Sequence, residues 1–453
     1  MSGNQIILST LLGIVLLLFM LLKTKIHTFL ALILASIFIG GFGGMPLREV
    51  LDAMVSGFGS TVGSIGIVLG LGMMMGEVFE VSGAAKRMAY NMIKWLGRNR
   101  EEEAMAFTGF LVSVPIFCDS GFILLAPMLK EVSRQSKKSV VGLGIALASG
   151  LFITHSVVPP TPGPVGVAGI FGADIGSVIL WGIVIAIPMA AAAMFYGKHM
   201  GKKIYQLPTD DGEEWKRPRQ PLMVPLSPVK MDEEGMPGTT NAFLPVVIPS
   251  ILILLGTGGM MMGAVGNLGE AIAFFGNPIV AMIIALLIAI YTLTRRMSRE
   301  RVVEILEKGI QSSGSIILIV GAGGALGSVL TTSGIGQNMA VTISQSKLPA
   351  ILLPFLVSTI LRFIQGSGTV AMLTSASITS PAMQTLGVDP VLATLSACVG
   401  SLFFSYFNDS FFWVVNRTIH ITDTEEQLKV WSVTTTIAWL VGLVCLLFLN
   451  ALL

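Results

Sequence analysis

Apolar residues in this chain run in long stretches instead of alternating or recurring at one face of a helix. Ten stretches stand out: 5–22, 26–41, 61–80, 139–157, 175–197, 241–258, 278–294, 310–330, 388–408 and 430–450. Each comes close to the roughly 20 apolar residues that a helix needs to cross a bilayer. The first has no basic residue before Ile6 and no small-residue cleavage site after it, so it reads as a retained span. Two further apolar regions, 104–129 and 350–386, surround a polar, small-residue middle, "PIFCDSGF" and "RFIQGSGTVAML". They read as re-entrant hairpins.

The positions of the basic residues orient these segments. With both hairpins re-entrant, 25 of the 28 Lys and Arg residues fall on one side, in 23–25, 81–103, 130–138, 198–240, 295–309 and 411–429; the exceptions are Arg48, Lys347 and Arg362. Basic loops mark the cytoplasmic side, which puts both termini outside. Segment 198–240 is the one long polar stretch and reads as a cytoplasmic linker.

Composition agrees. The chain is 53% hydrophobic and 12% charged, against about 25% charged for a soluble domain. In so apolar a chain, 51 glycines and 21 prolines point to close helix packing and broken helices. A net charge of +2 gives no reason to expect a nucleic-acid partner. Cys118, Cys398 and Cys445 have no metal spacing and read as small buried hydrophobes. The fold class is an all-α integral membrane protein.

At a constant offset of 251 residues, "GLGMMMGEVFEVSGAAKRMA" (70–89) matches "GAGGALGSVLTTSGIGQNMA" (321–340) through Gly70, Gly72, Gly76, Val78, Ser82, Gly83, Met88 and Ala89. The offset also carries hairpin 104–129 onto the start of 350–386, and Leu151-Phe152 onto Leu402-Phe403. Spans 61–80 and 310–330 run in opposite directions in this topology, so the halves are inverted repeats. The chain divides into N-terminal spans 1–60, a first repeat 61–197, the linker 198–240, connecting spans 241–309 and a second repeat 310–453. Such repeats with discontinuous helices are common in secondary transporters, with substrate held near the midplane.

Polar residues within the apolar regions are the candidate chemistry. Asp119, beside Ser120, suits proton coupling or a substrate contact, or a shallow or Arg-paired carboxylate. Arg362, Gln365, Gly366, Ser367, Gly368 and Thr369 bring backbone amides, hydroxyls and a guanidinium to one turn, a set that can hold a carboxylate; a tight tip with a snorkelling Arg is the bland reading. Asn408, Asp409 and Ser410 either line a cavity or cap a helix. His155 either takes part in proton transfer or packs as a hydrogen-bonded histidine. Pro115, Pro159, Pro160, Pro162 and Pro164 break helices. Glu77 and Glu80 share a helical face near the inner side, and Ser328 and Thr331 replace them in the second half. Trp413 and Trp431 read as interfacial anchors. There is no Walker loop, "GAGGALG" lies inside an apolar span, and no cofactor, metal or enzyme activity is expected.

The proline-rich "HSVVPPTPGP" (155–164), with "FGADIGSV" (171–178), "GAGGALG", "QGSGTVAML" and "NDSFFW", resembles the gluconate permease family of proton symporters over nearly the whole chain. The resemblance implies an inner-membrane carrier of bacterial cells that imports a small hydroxylated monocarboxylate such as gluconate. Its substrate-facing positions would be Asp119, His155, Gln365, Gly366, Ser367, Thr369, Asn408, Asp409 and Ser410. The chain departs from the family pattern at Asp119-Ser120-Gly121, at Thr161 where a second histidine is usual, and at Phe411 where glycine is usual. These changes bear on which acid is carried. Expected partners are the organic anion, the proton and the bilayer, and a homo-oligomer is compatible with the sequence. Sodium-coupled carboxylate transport and proton symport of D-serine or a small hydroxy acid are the alternatives.

Overall fold

The computed structural model describes residues 3–24, 26–96, 99–209, 214–218, 235–261, 266–334 and 348–452. Residues 210–213 and 219–234 of the linker lie outside the described residues, as do Met339, Ala340 and Lys347.

Among the described residues the secondary structure is helical apart from a two-residue antiparallel pair, Leu207–Pro208 with Trp215–Lys216. The first half comprises α1 Gly3–Lys23, α2 Thr28–Phe42, α3 Leu47–Ser82, α4 Ala84–Leu96, α5 Glu101–Val112, α6 Cys118–Ser136, α7 Val140–Val157, α8 Pro162–Phe171 and α9 Ile175–Lys203. After the linker come α10 Thr239–Met261, α11 Gly266–Gly276, α12 Pro278–Leu293, α13 Arg299–Thr332, α14 Leu352–Gln365, α15 Gly368–Thr385, α16 Pro390–Gly400, α17 Ser410–Thr418 and α18 Thr424–Leu452. Many starts carry the expected caps. Ser139, Asp174, Asn277, Ser298 and Asp389 each accept a hydrogen bond from an amide of the following turn, which satisfies a donor that the helix leaves open.

The 251-residue spacing extends from the matched letters to the elements. It carries α2 onto α12, α3 onto α13, α5 onto α14, α6 onto α15 and α9 onto α18, with ends agreeing within about two residues. The counterpart of α4 falls at 335–347, outside the described residues.

The long helices α3 and α13 cross as an antiparallel pair. A methyl placed on Gly57 would lie 2.4 Å from the Gly324 carbonyl oxygen, one on Gly321 2.5 Å from the Phe58 ring, and one on Gly309 2.6 Å from Met74 Cα. Further along, Lys308 Nζ sits 2.7 Å from Glu77 Oε2. Residue numbers fall along one helix as they rise along the other, so the two copies of the repeat are inverted. The glycines are what let the backbones approach so closely.

Cross-element ion pairs Lys138–Glu101, Lys198–Glu103 and Arg217–Glu426 join segments that the basic-residue count placed on one face, and Lys308 of 295–309 pairs with Glu77 near the end of span 61–80. Glu77 is therefore an ion-pair partner at the inner end of α3.

Two expectations change and a third gains detail. Stretch 388–408 is not a continuous span: its helix stops at Gly400, and 401–409 is a turn. Its apolarity comes from Phe403, Phe404, Tyr406 and Phe407, whose rings pack on one another and on Phe363. Hydropathy reads such a cluster as helix because it does not register backbone geometry. Stretch 139–157 is helical, but all 18 residues of α7 are buried, so it runs through the middle of the protein without a lipid-facing side. Finally, Trp431 is no interfacial anchor. It is fully buried and donates its indole N–H to Ser405 Oγ at 2.9 Å. Trp413 is part-buried and donates to the Phe407 carbonyl at 3.0 Å.

Candidate functional site

Each repeat is interrupted twice, once at a hairpin tip and once in the segment that follows the hairpin. The four interruptions meet.

The first tip is residues 113–117, between α5 and α6. Pro115 has no N–H, and Ser113 Oγ donates to the Leu151 carbonyl at 2.7 Å. Below it α5 and α7 touch backbone to backbone, since a methyl on Gly150 would lie 2.2 Å from the Ala106 carbonyl oxygen. Helix α6 then starts without a side-chain cap at Phe117. Asp119 and Ser120, both half-buried, occupy its first turn.

The first break is residues 158–161, between α7 and α8, with a cis Pro159–Pro160 peptide. Thr161 Oγ1 donates to the Val158 carbonyl at 2.7 Å, and Pro162 begins α8, where a missing N–H costs nothing. Pro164 sits in the first turn of α8. Tip and break together enclose a cavity of about 20 Å³ lined by Pro115, Phe117, His155, Pro160, Thr161 and Pro162. That is room for about one water. The His155 ring is 5.1 Å from that of Phe117, and its Nδ1 is buried with no hydrogen-bond partner among the described residues.

The second tip is Gly366-Ser367, between α14 and α15. Gly366 has φ +83°, and a methyl there would lie 2.1 Å from the Asn408 carbonyl oxygen. Only glycine combines that torsion with that contact. Ser367 caps α15, and Gly368 and Thr369 open it.

The second break, 401–409, is pinned to this tip. Arg362 donates to the Gly366 carbonyl and to Asp409 Oδ2, with the two side chains only 1% and 8% exposed. Asp409 also accepts from Ser405 Oγ and from the Phe411 amide at 3.1 Å, so it caps α17. Asn408 Nδ2 donates to the Phe363 carbonyl at 3.1 Å. The Arg362 guanidinium lies 5.7 Å from the centre of the Phe152 ring, which stacks on Phe411 at 5.7 Å and meets Trp431 at 5.5 Å. Phe411, 1% exposed, spends its bulk inside this aromatic cluster.

The halves also touch crosswise. Ser410 Oγ lies 3.4 Å from Asp119 Oδ1, joining the second break to the first tip. A methyl on Gly163 would meet Met372 Sδ at 2.7 Å and Thr369 Cγ2 at 3.8 Å, joining the first break to the second tip. The structure thus gathers Asp119, Ser120, His155, Arg362, Gln365 to Thr369 and Asn408 to Ser410 around one locus. Within it, Arg362 and Asp409 face each other, while Asp119, Ser410, Asn408 and Gln365 have exposed or half-exposed surface. The sequence reading passed over Ser405, read Trp431 as an interfacial anchor, and used Phe152 only to align the repeats. Ser405 was detectable as the one small polar residue between the aromatic pairs Phe403-Phe404 and Tyr406-Phe407.

Inverted helical repeats broken at four points around a buried polar centre define a multi-pass membrane permease. Residues 5–453 match the model for the GntP family permease, and the chain belongs to that family, whose setting is the bacterial inner membrane. It is 44% identical over 455 residues to an uncharacterized permease of Haemophilus influenzae, covering 98% of this chain and 92% of that one. It is 33% identical over 450 residues to a gluconate permease of Pseudomonas aeruginosa, covering 98% and 97%. The YdaH transporter of Alcanivorax borkumensis, a solved structure described as having an unusual topology, shares the fold at TM-score 0.67 and 14% identity, covering 94% of this chain and 99% of that chain.

Proposed function

We propose that this permease imports gluconate or a closely related hydroxylated monocarboxylate in symport with protons, by alternating access. The observation that carries the reading is the meeting of four chain breaks around polar groups inside an apolar helical body. Broken helices expose amides and carbonyls where a continuous helix would hide them. Those groups, with hydroxyls nearby, replace the water that a sugar acid gives up on entering the membrane. Without such replacement the transfer of an anion costs several kcal/mol or more.

Asp119, Ser120, Gln365, Ser367, Thr369, Asn408 and Ser410 are the proposed substrate contacts, with the Gly366 and Gly368 backbone shaping the turn that presents them. Arg362, paired with Asp409, ties the second tip to the second break and so holds the Gly366-Ser367 turn in position. Asp119 and His155 are the proposed proton carriers. A proton on Asp119 removes one of two negative charges that would otherwise face each other when substrate binds. The relatives named as gluconate permeases support the choice of substrate.

The test is uptake of radiolabelled gluconate into proteoliposomes with an imposed pH gradient, repeated with sodium exchanged for potassium at constant pH. Accumulation that follows the pH gradient is expected. Uptake indifferent to the gradient, or dependent on sodium, refutes proton coupling. A competition panel of sugar acids, D-serine, glycerate and dicarboxylates then ranks the substrates.

A further inference from the structure

A second recess, bordered by charged side chains, lies at the inner end of the first hairpin, away from the chain breaks. Its volume is about 370 Å³, and its walls are Glu102 of α5, Lys137 and Lys138 between α6 and α7, Ser139 and Gly142 at the start of α7, and Lys198, Gly201, Lys202 and Tyr205 at the end of α9. Glycine creates it. A methyl on Gly201 would lie 3.0 Å from Gly142 Cα, and one on Gly142 3.1 Å from the Gly197 carbonyl oxygen. The two helices therefore close at the backbone and leave no side chain to fill the notch above the contact.

Hydrogen bonds fix its floor. Ser139 Oγ donates to the Ile204 carbonyl at 2.7 Å and accepts from the Gln206 amide at 3.2 Å, while Tyr205 Oη donates to the Lys137 carbonyl at 2.8 Å. Two of the four lysines are neutralised: Lys138 pairs with Glu101 and Glu102, and Lys198 with Glu103. The ammonium groups of Lys137 and Lys202 have no ion-pair or hydrogen-bond partner among the described residues. The recess thus has a rigid floor, and among the described residues the Lys137 and Lys202 ammonium groups are unpaired there, at the face where basic residues concentrate; with Lys138 shared between Glu101 and Glu102, the described charges sum to one excess positive charge.

We propose that this recess is a binding site for a phosphate-bearing anion, with Lys137 and Lys202 as its charge partners. An ammonium is a standard partner for phosphate oxygens, and basic recesses between spans on the cytoplasmic side suit anionic head groups. A phospholipid head group and a free phosphate monoester share the chemistry. The site joins both arms of the first hairpin to α9, so occupancy holds the hairpin's inner root against that helix. The inference is independent of which acid the permease carries.

The full-length protein in nanodiscs tests it. Wild type, K137Q/K202Q and a control, K86Q/K94Q, which removes the same charge from α4, are compared by native mass spectrometry for retained phosphatidylglycerol against phosphatidylcholine. Their affinities for glycerol 3-phosphate are measured by calorimetry. A fall of about tenfold or more in K137Q/K202Q, with the control within about twofold of wild type, supports the site. Loss confined to phosphatidylglycerol assigns a lipid head group, and loss for glycerol 3-phosphate assigns a soluble ligand. No preferential binding by wild type, or equal loss in both double variants, overturns the proposal. A matching circular dichroism melt guards against misfolding of K137Q/K202Q.

Discussion

At residues 158–161 the first half of the molecule turns on prolines around a small cavity lined by His155 and Thr161. At the corresponding place the second half turns through 401–409 on side-chain hydrogen bonds, with Arg362, Asp409, Ser405 and Trp431 linked in series. A proline brings no amide hydrogen into the membrane, so a proline turn has fewer donors to satisfy. A turn built from ordinary residues keeps its donors and must find partners for them. The first strategy leaves room beside the chain, and the second fills the room with a buried ion pair. One ancestral plan has therefore yielded an open break and a locked break, and function at the two should respond differently to mutation.

The largest effect is expected at the lock. R362A leaves Asp409 buried without its cation, which costs roughly 3–5 kcal/mol when a buried pair is broken. Detergent-solubilised R362A should melt well below wild type and should not accumulate substrate. If R362A melts with wild type, the second break is not held as described. Next comes G366A, which forces a side chain into φ +83° and against the Asn408 carbonyl. A cost of about 1–3 kcal/mol from the torsion alone, together with at least a tenfold loss of uptake, is the expected outcome.

At the open break the balance reverses. H155N removes a ring whose Nδ1 has no hydrogen-bond partner among the described residues, so the melting temperature should stay within a few degrees of wild type. Uptake should nonetheless fall about tenfold, with an altered dependence on external pH. Normal uptake in H155N would make this histidine a packing residue and remove it from the coupling scheme.

The smallest effect belongs to the hairpin roots. The first is ionic, through Lys138 with Glu101 and Glu102. The second is neutral, with Ser375 and Ser396 donating to the Pro354 and Ile351 carbonyls. Burial lowers the Lys138 pKa, but hydrogen bonds and charge from Glu101 and Glu102 outweigh it and raise the group above its ordinary 10.5. A cation whose folded value is raised stabilises the fold fully below 10.5 and loses that contribution as pH climbs through the folded value. Lys138 keeps about a quarter of its side chain exposed while Glu101 and Glu102 are largely buried, so K138Q should cost roughly 1–2 kcal/mol at pH 7, between an exposed pair and a buried one. The gap from wild type should narrow only above pH 10.5 in chemical denaturation.

Much of this was legible in the letters. The spacing of 251 residues between "GLGMMMGEVFEVSG" and "GAGGALGSVLTTSG" carried the repeat, and the structure extends that spacing to most helices. The basic residues sorted the faces, which the ion pairs Lys198–Glu103 and Arg217–Glu426 respect. The hairpins were marked by Pro115 and by Gly366-Ser367-Gly368. Stretch 388–408 misled because an aromatic turn and an apolar helix have the same hydropathy, and Trp431 misled because a tryptophan near a span end looks alike whether it faces head groups or a buried serine.

The sequence by itself determined the class of solvent this chain folds in, the inverted pairing of its halves, and the helix breaks at Pro115, at the prolines 159–164 and at Gly366-Ser367, but not the break at 401–409. Each of those follows from local quantities: run length, charge, a missing amide hydrogen, a residue able to take positive φ. Only the tertiary structure decided which polar groups spend themselves on one another and which keep open surface. Arg362 and Asp409 are 47 residues apart, and Asp119 and Ser410 are 291 apart. Nothing in either neighbourhood states the other's position; packing of the inverted repeats brings them together.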